Sequence, residues 1–252
     1  MTQVIFNKGF YQLNMLLRNH LSVIPLRAEA SDRAEMTSQV LYGESVEVLD
    51  SYSKWSKVKC MWDGYQGWIA KEHELINSKD STTIVKTEGM IPSDDGPYKR
   101  ISPGSYLTES ELKKFQPLNG FEDDSLQRDL TDLAMQYLNT PYLWGGRSCW
   151  GIDCSGLIQV CFAMLGRLMP RDAYQQAELG TEKEIHESNE GDIAFFQNTE
   201  GRINHVGIVL VDNRIIHSSG YVRIDELTTE GIVRKTDNKL SHVYKSIRRI
   251  NI

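Results

Sequence analysis

The sequence predicts an α+β protein in two parts, a small β-barrel followed by a larger helix-then-strand domain. Three observations carry that expectation. Between residues 21 and 76 lie short runs rich in Val, Ile, Trp and Tyr, separated by turn formers and free of any helical period. After Gly120 two helical patterns come first and a run of strands follows, which is the α+β order. The length of 252 residues exceeds a typical domain of roughly 150, so two modest domains account for it better than one. The expected divisions are 1–77 for the barrel, 78–119 for a linker with room for a few short strands or a reduced second barrel, and 120–252 for the second domain.

The barrel strands are expected at Leu21 to Leu26, Gln39 to Tyr42, Ser45 to Asp50, Lys57 to Met61 and Gly67 to Ala70, broken by Gly43, Ser51 to Lys54 and Asp63-Gly64. From Ser78 onward Pro92, Asp94-Asp95-Gly96-Pro97 and Pro103-Gly104 are turn formers in a polar stretch. Leu126, Leu130, Leu133, Ala134, Tyr137 and Leu138 then recur at helical spacing behind the caps Asp124 and Ser125, and Pro141 ends the run. A second helix starts at Asp153 or Cys154, carries Leu157, Ile158, Cys161 and Leu165, and stops at Gly166. A short helix opens at Asp172. Strands follow at Ile193 to Phe196, His205 to Val211, Arg214 to Ser218 and His242 to Ile250.

Composition narrows the function. A 40% hydrophobic and 25% charged chain is globular, not disordered or fibrous. With 28 Lys+Arg against 34 Asp+Glu, a net charge of −6 and no basic block, nucleic acid is not an expected partner. No stretch reaches the ~20 apolar residues that span a bilayer, and the first residues do not resemble a secretory signal, so no membrane partner and a cytoplasmic location are expected. Cys60, Cys149, Cys154 and Cys161 match neither a disulfide framework nor a paired CxxC zinc site. The His73-Glu74 pair lacks a second histidine at Asn77, where a zincin helix would need one. Neither a metal nor a cofactor is expected.

One thiol stands apart. Cys154 falls at the first turn of a helix after Gly145, Gly146 and Gly151, where unpaired N–H groups and the helix dipole are expected to lower its pKa. Downstream, His205 opens an apolar strand and His217 closes the next. A cysteine with two imidazoles is the minimum for covalent acyl transfer: one takes the thiol proton and the other orients the first. A two-residue turn at Asp212-Asn213 would place the two histidines on opposite faces of the hairpin. A three-residue or bulged turn returns both to one face, so the longer turn is expected.

The string GIDCSGL, the strand HVGIVL and the segment IIHSS, in that order, resemble the NlpC/p60 cysteine peptidases, a papain-like fold, over roughly residues 120–250. The stretch LSVIPLRAEASDRAEMTSQVLYGE with WDGYQGWI resembles the bacterial SH3-like barrel that precedes the catalytic domain in γ-D-glutamyl-L-diamino acid endopeptidases. The resemblance implies Cys154 as nucleophile, His205 as general base and His217 as its orienting partner. It implies a small murein peptide with a free N-terminal L-alanine as substrate, cut after D-glutamate. The substrate ammonium would be met by Glu35, Tyr65 and Asp172, with Asp153 and Ser155 flanking the nucleophile and Ala173 lining the wall. Glu29 and Glu44 are alternatives to Glu35.

Plainer roles compete for several of these residues. Cys161 and Cys60 suit a core, and Cys149 has no base. His20, His73, His186 and His242 have no partner in the sequence and are expected at the surface or at caps. Asp153 can serve as a helix cap alone. Trp144 and Trp150 are candidates for a cleft wall or for packing anchors. A thiol amidase or acyltransferase of the same fold and a non-catalytic wall-binding module are the rival classes.

Overall fold

The computed structural model describes residues 16–77, 80–118 and 129–251. The first fifteen residues, and the expected caps Asp124 and Ser125 with Leu126, lie outside them.

Alternating apolar residues with Gly- and Asp-based turns build seven antiparallel strands: β1 (Leu16–Arg18), β2 (Val23–Arg27), β3 (Met36–Leu41), β4 (Ser45–Tyr52), β5 (Trp55–Cys60), β6 (Gln66–Ala70) and β7 (Ile76–Asn77). They curl in the order β3-β2-β6-β5-β4-β1-β7 around Ile24, Leu26, Val40, Val46, Val58, Cys60 and Ile69, the inward positions of a two-residue repeat.

The segment expected as a linker carries structure of its own. Strands β8 (Thr82–Ile84), β9 (Gly89–Ser93), β10 (Gly96–Ile101), β11 (Tyr106–Thr108) and β12 (Gln116–Pro117) form two small sheets, with a helical turn α1 (Glu109–Leu112) behind a Thr108–Glu111 capping box. Val85, Ile91, Ile101 and Leu107 bury against Tyr42 of the barrel. Arg18 donates to Glu111 at 2.7 Å, and Tyr42 donates to it at 2.6 Å.

The last part begins with α2 (Leu130–Met135), capped by Asp129, and a short ribbon β13 (Arg147–Ser148) and β14 (Gly151–Ile152). Then come α3 (Cys154–Met164) and α4 (Ala173–Gln176). Helix α3 is buried on every side, beyond the single face its spacing predicts, because barrel, sheet and α2 all pack on it. Seven strands follow: β15 (Thr181–Lys183), β16 (Ile193–Gln197), β17 (Ile203–Leu210), β18 (Arg214–Ser219), β19 (Tyr221–Leu227), β20 (Gly231–Val233) and β21 (Leu240–Arg249). Their order is β15-β21-β16-β17-β18-β19-β20, and β20 pairs back to β21, so β16–β21 close on themselves. This is the papain-like α+β arrangement behind an SH3-like barrel. Among the described residues no helix is long and apolar enough to cross a membrane.

A buried clasp joins barrel to second domain. Arg147 spans both carboxylate oxygens of Glu44 at 2.9 and 3.0 Å, donates to the Gln39 carbonyl at 2.8 Å, and lies 3.5 Å over the Trp62 ring. Removing one partner of such a pair strands a buried charge, at a typical cost of about 3–5 kcal/mol. The clasp matters because the cleft is shared between the two domains.

Candidate active site

The nucleophile position is built by the first turn of α3. Asp153 caps it, its Oδ1 accepting the Gly156 N–H at 2.7 Å and its Oδ2 the Gly145 N–H at 2.8 Å. Gly156 is required by packing, since a Cβ there would sit 2.2 Å from the Gly146 carbonyl oxygen. Gly145 has φ +76°, and a Cβ on it would meet the Met36 carbonyl oxygen at 2.3 Å. Arg171, buried, closes the turn: it donates to both Asp153 oxygens, to Ser155 Oγ at 2.8 Å and to Ser38 Oγ of the barrel at 3.2 Å.

Cys154 sits at the floor of a cleft and is 8% exposed. Its thiol departs from expectation. Burial and the Asp153 carboxylate push it up to about 12, against the opposing pull of the Val206 N–H, Arg171 and the Ser155 N–H. The helix start therefore does not by itself prepare a thiolate. Desolvation of the sulfur and the Asp153 charge favour the thiol, so a thiolate here would need a base to take its proton.

The candidates for that base lie on the hairpin of β17 and β18. The register pairs Gly207 with His217 and Leu210 with Arg214, leaving a three-residue loop, Val211 to Asn213, in which Asp212 and Asn213 have φ of 58° and 53°. The longer turn puts both histidines on one face. His205 Nε2 and His217 Nδ1 lie 2.8 Å apart, and His217 Nε2 lies 3.1 Å from Asp225 Oδ2 on β19. Asp225 is buried and accepts Arg223 Nε at 2.8 Å and the Lys235 N–H at 3.0 Å. Burial alone would raise its carboxyl, but the hydrogen bonds from His217, Lys235 and Arg223 hold it well below the usual carboxylate range.

A fixed carboxylate sets the tautomers along the line. His217 donates from Nε2 to Asp225, so its Nδ1 accepts from His205 Nε2, and His205 Nδ1 is left with a free lone pair. His205 precedes Val206, whose N–H reaches the Cys154 sulfur. Burial, reinforced by His217, His242 and Arg223, draws His205 well below its ordinary value, and burial lowers His217 too against the pull of Asp225. At neutral pH the thiol and the imidazole are therefore both uncharged.

The remaining expected residues gather in the same cleft. Glu35, Tyr65, Asp153, Cys154, Ser155, Asp172 and Ala173 all line it. Glu35 rises from the loop between β2 and β3, and its Oε1 accepts the Trp144 indole N–H at 2.6 Å. Of the three acids weighed for this place, Glu44 is spent in the clasp with Arg147, and Glu29 does not line the cleft. Burial raises the Tyr65 hydroxyl and the neighbouring Asp172 adds to it; burial likewise raises the Asp172 carboxyl, which Arg171 opposes. Asp153 reaches the cleft wall with both oxygens already engaged by Arg171, Gly145 and Gly156, so its structural work is to hold the turn.

Sequence reasoning left the choice between Trp144 and Trp150 open and missed three further residues. Trp144, 60% exposed, forms the cleft wall, whereas Trp150 packs beneath Arg100 at 5.3 Å. Tyr142 lines the cleft close to Cys154; burial chiefly, then Cys154 and Asp153, raise its hydroxyl. Asp225 was not singled out at all. His242, expected at the surface, instead stacks on His205 with 3.9 Å between ring centroids. That histidine sits on the distant strand β21, and only the closure of the sheet brings it in.

Among the described residues, the three imidazoles of His205, His217 and His242 are also the group most like a metal site, their ligand atoms all within 4.8 Å of one another. The geometry does not fit one ion. The planes of His205 and His242 are 21° apart, so their in-plane lone pairs run side by side, and His205 Nε2 already shares a hydrogen bond with His217.

Comparison with known proteins agrees with this architecture. Residues 139–240 match the NlpC/P60 family model, and residues 26–73 match the bacterial dipeptidyl-peptidase SH3 domain. A Bacillus subtilis protein named gamma-D-glutamyl-L-lysine dipeptidyl-peptidase is 27% identical over 72% of this chain and 71% of its own. An Escherichia coli protein named "Probable endopeptidase NlpC" is 34% identical over 52% of this chain and 80% of its own. An NlpC/P60 family protein from Bacillus cereus, known from its crystal structure, superposes with a TM-score of 0.72 at 19% identity, covering 93% of this chain and 99% of its own. On the family model and on relatives matched over most of their length, the chain belongs to the NlpC/P60 family.

Proposed function

We propose that the protein is a cysteine peptidase that hydrolyses the γ-D-glutamyl–diamino acid bond of short murein peptides bearing a free N-terminal L-alanine, and that it releases L-Ala-D-Glu. The observation that supports this reading best is a thiol at the floor of a cleft shared by two domains, with Glu35 and Asp172 lining the same cleft and an Asp-anchored imidazole pair on the hairpin whose Val206 N–H reaches that sulfur. The similar Bacillus subtilis protein carries a name of the same activity.

In this mechanism His205 Nδ1 takes the Cys154 proton as the sulfur attacks the γ-amide carbonyl of D-glutamate. His217, held by Asp225, supports the imidazolium that forms. The Cys154 N–H at the helix start is the natural donor to the oxyanion, and removing such a donor typically costs about 100 to 1000-fold in rate. His205 returns the proton to the departing diamino acid nitrogen, leaving a thioester that water resolves.

Glu35, Tyr65 and Asp172 account for specificity. A substrate ammonium in this half-closed end needs carboxylates to replace its water, and a blocked amine would leave them unpaired. The same closed end excludes intact wall polymer. Fragments with free amines are what such an enzyme trims, which suits a recycling role in the cytoplasm. The test is a defined tripeptide, L-Ala-γ-D-Glu-L-Lys, offered free and N-acetylated, with products identified by mass. The reading expects Ala-Glu and lysine from the free peptide alone. Equal rates on both would remove the amine pocket, and cleavage at another bond would remove the assignment.

A further inference from the structure

We propose that His242 is a positioning residue for the general base: its imidazole lies flat on His205 and fixes the plane in which His205 presents Nδ1 to the thiol. The proposal rests on the peptidase reading of the site. Its observation is the stack itself, 3.9 Å between centroids at 21°.

A hydrogen bond at His205 Nε2 fixes one point of that ring and leaves it free to swing about its Cβ–Cγ bond. A second flat ring against the face removes the swing. The alternative neighbour, Phe196, is 5.9 Å away and tilted by 45°, too far and too oblique to define the plane. His242 is itself held, with Nδ1 2.9 Å from Ser241 Oγ and its backbone paired to Ile232 of β20. His217 meets it edge-on at 5.6 Å, so the three rings form one packed unit.

The charge state suits the task. Around His242 stand His205 and His217, Arg223 and Asp225 from β19, and Arg234 beyond β20. Burial, then His217 and Arg223, draw His242 down to about 4, against the pull of Asp225. At neutral pH an uncharged π-face therefore lies against His205. When His205 takes the thiol proton, that face stabilises the new imidazolium, whereas a charged neighbour would oppose it.

Three variants separate this role from plain packing. His242→Phe keeps a flat neutral ring, His242→Ala removes the stack, and His242→Arg places a permanent charge against His205. Two readouts are taken: kcat and KM on the free tripeptide, and the pH dependence of Cys154 carboxymethylation by iodoacetamide, which needs no substrate. The expected result is Phe within about 3-fold of wild type in kcat, and Ala and Arg lower by about 10-fold or more with KM little changed. The alkylation profile should move for Ala and Arg but not for Phe. Ala matching wild type in both readouts would overturn the proposal, and so would Phe as impaired as Ala. Should Ala fail to fold, Arg indistinguishable from Phe overturns it. A wild type that alkylates at Cys154 but cleaves no peptide would instead sink the peptidase reading, and the alkylation profiles would still decide the role of His242.

Discussion

At the residue scale the site turns on where one proton resides. Cys154 and His205 are both desolvated, so each favours its neutral form, and in the proposed reaction the ionic pair would form only as the sulfur attacks. Asp225 matters because it fixes the donor side of His217 from two bonds away. Asp225→Asn keeps an acceptor but loses the charge that supports the imidazolium, so kcat should fall by about 10 to 100-fold with KM nearly unchanged. Steady-state kinetics on the free tripeptide checks this, and an unaltered kcat would leave Asp225 with a structural part only. Cys154, His205 and His217 were legible in the sequence because each lies in a short motif whose local context, a helix start or a strand end, shows its direction. Asp225 and His242 were not. Their approach depends on the β18–β19 register and on β20 pairing back to β21, and neither pairing leaves a local signal.

At the element scale, the register of one hairpin decides whether a relay exists. Val211 is exposed and contributes the third residue of the loop. Deleting it closes a two-residue turn between the same partners, Leu210 and Arg214, and so keeps Gly207 opposite His217 and both histidines on one face. The deletion should therefore keep turnover, with far-UV circular dichroism near wild type; abolished turnover in a folded variant would mean that the loop itself, and not the register behind it, carries the relay. Most barrel strands and α3 were readable from alternation and capping, since turn formers punctuate them. The strands of residues 80–118 were obscured because their core is a handful of side chains, Val85, Ile91, Ile101 and Leu107, completed by Tyr42 from the barrel. A segment with so small a core reads as polar. The strands β19 and β20 went unseen for a related reason, being short or mixed in burial along their length.

At the scale of the whole molecule, the closed sheet, the barrel and α3 enclose ionisable groups that the unfolded chain would expose. His205, His217 and His242 all have folded values below the ordinary histidine value of about 6.5. As pH falls through 6.5 the unfolded chain binds protons that the folded one refuses, so stability is full above that value and lost below it. Asp63, raised to about 6 chiefly by burial, works the other way as pH falls from 6 toward 4. Melting temperature should therefore drop from pH 7 to pH 5, less steeply in His242→Phe and more steeply in Asp63→Asn. A flat profile would mean that the imidazoles are not buried neutral. The domains meet so that Glu35 of the barrel and Asp172 of the second domain face one cleft, and Cys154 at its floor is the atom on which the account depends. The most direct test is mass spectrometry of the enzyme quenched in acid during turnover of L-Ala-γ-D-Glu-L-Lys. The account predicts an Ala-Glu acyl adduct mapped to Cys154 and no turnover in Cys154→Ala; an adduct on another residue, or undiminished cleavage by that variant, would contradict it.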